Sequence, residues 1–497
     1  MSAIPAAVIV LAAGDGTRMK SSTSKVLHRI GGRSLVGHAL LAAAHTGTPR
    51  VAVTVRAHRD EVAAHVTELW PAAIIADQDD IKGTGRAAEC ALEALPSGLS
   101  GTVLVTYGDV PLLTTQALLD LTEAHEQAAN AVTVLTAHLE DPTGYGRVIR
   151  DADGSVQAIV EHKDAVRARE AGGEHADALD VREINSGIYA FDADVLRNSL
   201  LQVTTDNAQG EKYLTDVLAI ARGAGRRVAG HGIDDRWQIE GVNDKAQLAR
   251  LGKEFNRRAL HRLMVEDGVI VIDPDTTWVD ADVSVGADTV LHPGTQLHGA
   301  TTIGSHCTIG PDTTLTDTEV ADAASVVRSQ AQLAVIGERA TVGPFSYLRP
   351  GTTLAADGKI GAFVETKNAQ IGEGAKVPHL TYCGDATIGA GANIGAGTIF
   401  ANYDGVNKHH TDVGEHSFIG SNSVVVAPRT IADGAYVAAG SAVVADVEPG
   451  QLAVSRAQQR NVDGWVARRR EGTATHRAAL EAEARHTSTT TEGTSEA

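Results

Sequence analysis

With 497 residues the chain is too long for one ordinary core, so at least two domains are expected. Hydrophobic residues make up 43% and charged ones 21%, a soluble globular balance, while aromatics are only 4% and glycine reaches 51 residues, which favours small-residue packing with many turns. Lys and Arg number 43 against 62 Asp and Glu, and the resulting formal charge of −19 excludes nucleic acid and anionic membrane as partners chosen by bulk electrostatics; an anionic substrate would need local cations.

The opening MSAIPAAVIVLAAGDG is apolar, lacks a basic leader and stops at Gly14, far short of a bilayer span, so it reads as a buried first strand and no membrane insertion is expected. Beyond it, Gly14-Asp15-Gly16-Thr17-Arg18, with Lys25 shortly after, is a turn whose backbone N–H groups can approach phosphate while Arg18 and Lys25 neutralise it. It lacks GK[ST], and Met19 stands where the dinucleotide fingerprint needs its third glycine; a plain tight turn with surface cations is the alternative. Buried-looking strands at 6–11, 51–55, 102–106 and 131–135 alternate with helical stretches, an α/β pattern whose mostly parallel sheet should gather ligands beyond the carboxyl ends of its strands. Asp109, just past the strand TVLVT, stands at such an edge, where a hard oxygen ligand for Mg²⁺ is useful to nucleotidyl transfer. Asn243 can supply a second oxygen, although an Asn in such a turn equally bonds backbone. Apolar residues at helical spacing over 244–263 predict a connecting helix.

From about Val285 an aliphatic residue followed by glycine recurs, as in Val285-Gly286, Ile303-Gly304, Ile336-Gly337, Val342-Gly343, Ile360-Gly361 and Ile388-Gly389, often at multiples of six. A hexapeptide period predicts a parallel β-helix with the aliphatic residue inward and glycine at crowded corners that often need unusual φ angles. Between Ile394 and Val413 the surplus around Asn402-Tyr403-Asp404-Gly405 should project as a loop. Cys90, Cys307 and Cys383 form neither a disulfide framework nor a CxxC site, which fits a reducing compartment. After about residue 470 the Thr- and Glu-rich sequence predicts disorder.

LAAGDGTRM, Lys25-Val26-Leu27-His28, Gly83-Thr84-Gly85, YGDVPL, PTGYGR, Glu161-His162-Lys163-Asp164, EINSGIYAF and EGVN, in this order, resemble bacterial sugar-nucleotide uridylyltransferases. HLTYCGDATIGAGANIGAGTIFANYDG on hexapeptide repeats narrows the resemblance to the bifunctional N-acetylglucosamine-1-phosphate uridyltransferase/glucosamine-1-phosphate acetyltransferase family, over about residues 6–465.

The resemblance implies an α/β protein with a Rossmann-like nucleotidyltransferase domain (1–243), a linker helix (244–263) and a left-handed parallel β-helix acetyltransferase domain (264–465); the composition of 466–497, outside the resemblance, predicts a disordered tail. In the first domain it assigns Leu11, Ala12, Ala13, Gly14, Lys25, Gln78, Gly83 and Thr84 to UTP, with Gln78 and the Gly83 backbone reading uracil. Gly146, Glu161, Asn185 and Asn243 would surround N-acetylglucosamine, and Asp109 and Asn243 would hold Mg²⁺, with Arg18 and Lys25 stabilising phosphate charge. In the second domain it implies His379 as general base, a role suited to imidazole near neutral pH. Arg349, Lys367, Tyr382 and Asn393 would bind glucosamine 1-phosphate, and Ala396, Asn402, Tyr403, Ser421, Ala439 and Arg456 acetyl-CoA. A cytoplasmic homotrimer acting on small amino-sugar phosphates and nucleotides is the assembly expected. Two positions depart from the pattern: Ser24 stands where proline is common, and Arg86 where histidine is common. Arg86 would add a cation near the base-reading loop and so bear on nucleotide affinity or base preference.

Overall fold

A computed structural model of the chain describes residues 3–207 and 210–492. The amino-terminal part is a nine-stranded sheet whose main path runs Val228–Gly232, Val132–His138, Glu183–Asp192, Thr102–Tyr107, Ala7–Leu11, Val51–Val55, Ile74–Asp77. All pairings along that path are parallel except those of Glu183–Asp192, which runs antiparallel to both neighbours. Helices cover both faces, and two buried clusters lie on opposite sides of the first strand, Ala7 and Ile9 in one, Val8 and Val10 in the other. That double burial explains strands without polar alternation. A hairpin, Arg147–Arg150 with Val156–Val160, is attached to the antiparallel strand through Ile184 and Arg147.

The connecting helix spans Lys245–Val265, capped by the Asp244 side chain, which accepts from the Gln247 N–H. It leads into a parallel β-helix in which one face is an eleven-stranded sheet and the other two are joined in a seventeen-stranded one. Inward residues stack coil on coil: Leu291, Ile309, Val326, Val342 and Ile360 are register partners on one face, and Val285, Ile303, Val320, Ile336 and Leu354 on another, all buried. The expected fold class is what the structure has.

Glycine after the aliphatic residue works mainly by close approach. Gly286, Gly304, Gly337 and Gly361 are absent from the left-handed region, yet a methyl group on Gly337 would lie 2.7 Å from the Ala355 carbonyl carbon one coil away, and on Gly361 1.9 Å from the Pro378 oxygen. The left-handed corners two positions further on carry Asp288, His306, Ala323, Arg339 and Asp357 instead.

The tail differs from expectation. Trp465–Arg469 and Ala474–Glu492 are helical. Their side chains, described to residue 486, are largely exposed, so the Ala, Leu, Glu and Arg of ATHRAALEAEAR form helix by local propensity without burying a core face. Residues 493–497 lie outside the described residues. Among the described residues no helix is long and apolar enough to cross a membrane.

Candidate active sites

At the carboxyl ends of the parallel strands lies a cleft of about 430 Å³. Leu11, Ala12, Ala13, Gly14, Lys25, Gln78, Gly83, Thr84, Asp109 and Asn243 all line it, which brings together residues read from five separate stretches of sequence. Backbone contacts place Asp109 and Asn243. Gly108 N–H bonds the Leu11 carbonyl at 2.9 Å, fixing the Asp109 turn beside the first loop, and Val242 N–H bonds the Asp109 carbonyl at 2.9 Å, setting Asn243 beside Asp109. Lys25 Nζ is paired with Asp109 Oδ2, and Arg18 Nη2 donates to Asn243 Oδ1 at 2.8 Å. Both candidate metal oxygens therefore already face cations.

The far wall is the loop before the helix Thr84–Ala94. Gln78 Nε2 donates to the carbonyls of Ile81 at 2.9 Å and Gly83 at 3.2 Å, so its amide shapes the loop it was expected to read through. Gly83 is at φ 116°, with Lys212 laced to the loop on either side by the Lys212 N–H to Lys82 carbonyl and Gly85 N–H to Lys212 carbonyl bonds, both 2.8 Å. Arg86 is no spare cation. It bonds Asp79 at 2.8 Å, Glu89 at 2.8 Å and Glu93 at 3.0 Å, and this web of carboxylates raises its pKa while tying the loop to the helix. Ser24, at φ −52°, already has the backbone angle that a proline would impose.

Gly146, Glu161 and Asn185 form a wall of their own behind Tyr107 and are not among the residues that line the cleft itself. Asn185 N–H bonds the Gly146 carbonyl at 2.9 Å, and a methyl on Gly146 would lie 3.5 Å from Glu161 Oε1. Asn185 Oδ1 is fixed by the Gly187 N–H at 2.8 Å and Tyr189 hydroxyl at 2.9 Å. Burial, reinforced by Asp164 and Asp216, pushes the Glu161 carboxyl above its ordinary value. Tyr107 joins this wall to the cleft: it lines the cleft, packs within 2.3 Å of where a methyl on Gly187 would be, and its hydroxyl pKa is raised by burial and then by Glu161 and Asp109. Arg56, Lys82, Tyr107 and Glu211 also line the cleft and escaped the sequence reading. Arg56 and Tyr107 had a signal, since each sits at the carboxyl end of a parallel strand.

On the β-helix, His379 ends the strand Lys376–His379 and is exposed. Its carbonyl accepts from Gly397 N–H at 3.1 Å and Thr381 Oγ1 at 2.8 Å, which fixes the backbone at a corner. That corner repeats. Asn422 N–H bonds the Ala396 carbonyl at 2.7 Å and Gly440 N–H the Ser421 carbonyl at 2.8 Å, while a methyl on Gly420 would lie 2.4 Å from the Ala439 nitrogen. His379, Ala396, Ser421 and Ala439 thus stand as successive rungs of one edge, with the Arg456 side chain 4.0 Å from where a methyl on Gly440 would be.

Arg349, Lys367 and Tyr382 belong to the adjoining face, where Tyr382 pairs with Glu365. Arg349 bonds Glu365 at 2.9 Å, which raises its pKa. The Lys367 pKa is lowered, first by the Lys408 ammonium within hydrogen-bonding reach and then by desolvation, with Asp385 opposing. Two neighbouring ammonium groups near Arg349 would suit a dianion. Lys408 was missed because it comes from the loop after Asn402, which leaves the coil as expected: Asp404 accepts from the Val406 and Asn407 N–H groups and from His409, and its carboxyl falls to about 2. Asn402 is buried and donates to Asp385, whereas Tyr403 is exposed on the loop. Asn393 lies on the His379 face, in register with Lys376.

Residues 8–175 match the family model of the MobA-like NTP transferase domain, and residues 282–317 the bacterial transferase hexapeptide model of six repeats. Over 488 residues, 98% of this chain and 97% of that protein, the sequence is 56% identical to the bifunctional protein GlmU of Kineococcus radiotolerans. The chain belongs to the GlmU family. The bifunctional protein GlmU of Pseudarthrobacter chlorophenolicus is 56% identical over 94% of each chain, and that of Micrococcus luteus 55% identical over 96% of this chain and 97% of its own. The GlmU match is continuous across both halves, so the cleft and the histidine-headed edge both fall within it.

Proposed function

We propose that the chain makes UDP-N-acetylglucosamine in two transfers, one at each site. On the β-helix, residues 264–465, the amine of glucosamine 1-phosphate attacks the thioester carbonyl of acetyl-CoA, its proton passes to His379, the C–S bond breaks, and His379 returns the proton to the departing sulfur so that coenzyme A leaves as the thiol. Arg349, Lys367 and Lys408 hold the sugar phosphate, Tyr382 and Asn393 border the sugar, and the coenzyme lies along the Ala396, Ser421, Ala439 and Arg456 edge, with Asn402 and Tyr403 alongside. His379 at the head of that edge supports this arrangement. No described residue bonds its ring nitrogens, which leaves the imidazole to the substrate.

In the nucleotide domain, residues 1–243, the phosphate oxygen of N-acetylglucosamine 1-phosphate attacks the α-phosphorus of UTP and pyrophosphate departs. No protein nucleophile is needed. Arg18 and Lys25 meet the phosphates, the Leu11 to Gly14 backbone and Gly83 to Thr84 hold the nucleotide, Gln78 keeps the base loop in shape, and Gly146, Glu161 and Asn185 receive the sugar. Asp109 and Asn243 fit Mg²⁺, because that ion takes one or two protein oxygens and fills its remaining positions with phosphates and water, and both oxygens sit beside cationic side chains that phosphates would draw off. When bound, Mg²⁺ would neutralise charge on the leaving pyrophosphate.

The helix 244–263 joins the two units, and residues 466–497 belong to neither. Phe345, Phe363 and Leu380, 54%, 58% and 62% exposed, follow one another on adjoining rungs beside His379, and the two rings stack at 5.4 Å. Covering this apolar edge by two further copies supports a homotrimer with the coenzyme between subunits. The product feeds peptidoglycan and other envelope polysaccharide precursors, in the cytoplasm. The cleft that gathers Lys25, Asp109 and Asn243 carries the reading most directly. Two variants test it: Asp109→Ala should abolish pyrophosphate release and spare thiol release, and His379→Ala the reverse. Equal loss in both assays from either change would refute the assignment of one reaction to each site.

A further inference from the structure

The residues at the phosphate end of the cleft rest on one small apolar cluster. Met19 adjoins Arg18, Val242 adjoins Asn243, Leu112 follows Asp109, and Ile30 follows Lys25; these four pack together with Leu35, which opens the helix Leu35–Ala44, and with Leu251 of the connecting helix. Ile30 belongs to a tight hairpin, Arg29–Ile30 against Arg33–Ser34, closed by Gly31 and Gly32 at φ 53° and 74°. Two consecutive left-handed residues are what a two-residue hairpin turn requires.

The tip of that hairpin sits in a socket outside the nucleotide domain. Gly31 carbonyl accepts from the Ala281 N–H at 2.8 Å, and a methyl on Gly31 would lie 2.1 Å from the ring of Phe255. Arg33 Nη2 bonds Asp282 Oδ1 at 2.6 Å. A methyl on Gly32 would lie 2.6 Å from Asp280 Oδ2, and that oxygen cannot swing away freely, because it accepts from the Gly299 N–H at 2.9 Å and faces His298 Nδ1 at 3.4 Å. Phe255 lies on the connecting helix; Asp280, Ala281 and Asp282 lie on the first coil of the β-helix. The chain between this tip and Lys25 has little slack: the turn Lys25–Leu27 runs directly into the hairpin, and the His28 carbonyl accepts from the Leu35 N–H at 2.9 Å.

We propose that the Gly31-Gly32 turn is a positioning element for uridylyl transfer, seated between Phe255 and the first coil so that the β-helix sets where Lys25 stands. This rests on the reading of the cleft given above. Gly31 and Gly32 touch no substrate; they act through Lys25. The nucleotide site is therefore coupled to contacts on the first coil, and disturbing the socket from that side changes uridylyl transfer and not acetyl transfer.

The test uses the full-length protein and follows pyrophosphate and thiol release separately. Gly32→Ala should lower kcat for uridylyl transfer about 10- to 100-fold, the effect of displacing a charge-stabilising group by about an ångström, with the KM for N-acetylglucosamine 1-phosphate within about twofold and thiol release unchanged. Arg33→Asp should lower the same kcat by a smaller factor, and adding Asp282→Arg in the same chain should restore it. A general structural role would depress both activities together. Wild-type kcat in Gly32→Ala, matched loss of both activities in Arg33→Asp, or failure of the exchanged pair to recover would overturn the proposal. Absence of pyrophosphate release from the wild-type protein would instead overturn the reading of the cleft.

Discussion

Replacing Gly83 by alanine should disable uridylyl transfer while leaving the β-helix reaction intact. Gly83 holds φ 116° and ψ 157°, a region that an L side chain enters only at about 1–3 kcal/mol. The added methyl would lie 2.2 Å from the Lys212 carbonyl oxygen and 2.6 Å from its nitrogen, and both are backbone atoms, so the loop must move. Moving it gives up the two 2.8 Å bonds that lace Lys212 to Lys82 and Gly85, each contributing about 0.5–1.5 kcal/mol. Recovering the working loop then costs about 3 kcal/mol, which at about 1.4 kcal/mol per decade lowers the rate about 100-fold. The assay is steady-state pyrophosphate release with saturating UTP and N-acetylglucosamine 1-phosphate, beside thiol release on the same preparation. A Gly83→Ala protein within about twofold of wild type in pyrophosphate release would refute the claim that this loop is locked by close backbone approach.

Glu161 should give uridylyl transfer an acid limb. Its folded pKa is raised by burial and then by Asp164 and Asp216, so the native state keeps a proton that the unfolded chain has lost; stability from this group is highest at low pH and falls as pH rises from 4.5 through the folded value. Sugar binding by the carboxylate runs the other way: the KM for N-acetylglucosamine 1-phosphate should climb as pH drops, with a midpoint above 4.5, and Glu161→Gln should flatten that limb. Lys408→Ala should raise the KM for glucosamine 1-phosphate about 10-fold or more, the scale of one charged hydrogen bond, while pyrophosphate release from N-acetylglucosamine 1-phosphate stays unchanged. Arg86→His should raise the KM for UTP about fivefold at most, because it loosens surface pairs worth about 1 kcal/mol; a changed preference between UTP and another nucleoside triphosphate would show that Arg86 meets the base after all.

Much of the architecture was legible because it repeats. The aliphatic residues of the β-helix announce themselves by period, and the glycines beside them by the lack of room against the next coil, although Gly286, Gly304, Gly337 and Gly361 have ordinary φ angles and Gly343, at φ 103°, does not. Asp109 and Lys25 were legible because strand ends and glycine turns are where an α/β sheet exposes its backbone. Lys408 was not, since its meeting with Lys367 depends on how far a loop travels before turning back. The role of Arg86 was likewise hidden: a cation beside a loop says nothing of three carboxylates folded onto it from 79, 89 and 93. The tail was read for apolar surface when local helix propensity decided it, and the Gly31-Gly32 turn gave no sign that its socket lies some 250 residues further along the chain.

The most direct measurement follows thiol and pyrophosphate release from one purified preparation while glucosamine 1-phosphate, acetyl-CoA, UTP and Mg²⁺ are omitted in turn. Thiol should appear without UTP or Mg²⁺, pyrophosphate only when all four are present, and N-acetylglucosamine 1-phosphate should remove the need for acetyl-CoA. Pyrophosphate release that still required acetyl-CoA with the acetylated sugar supplied would contradict two separate sites joined by a shared intermediate, and release that persisted without Mg²⁺ would contradict the metal-assisted nucleotide site.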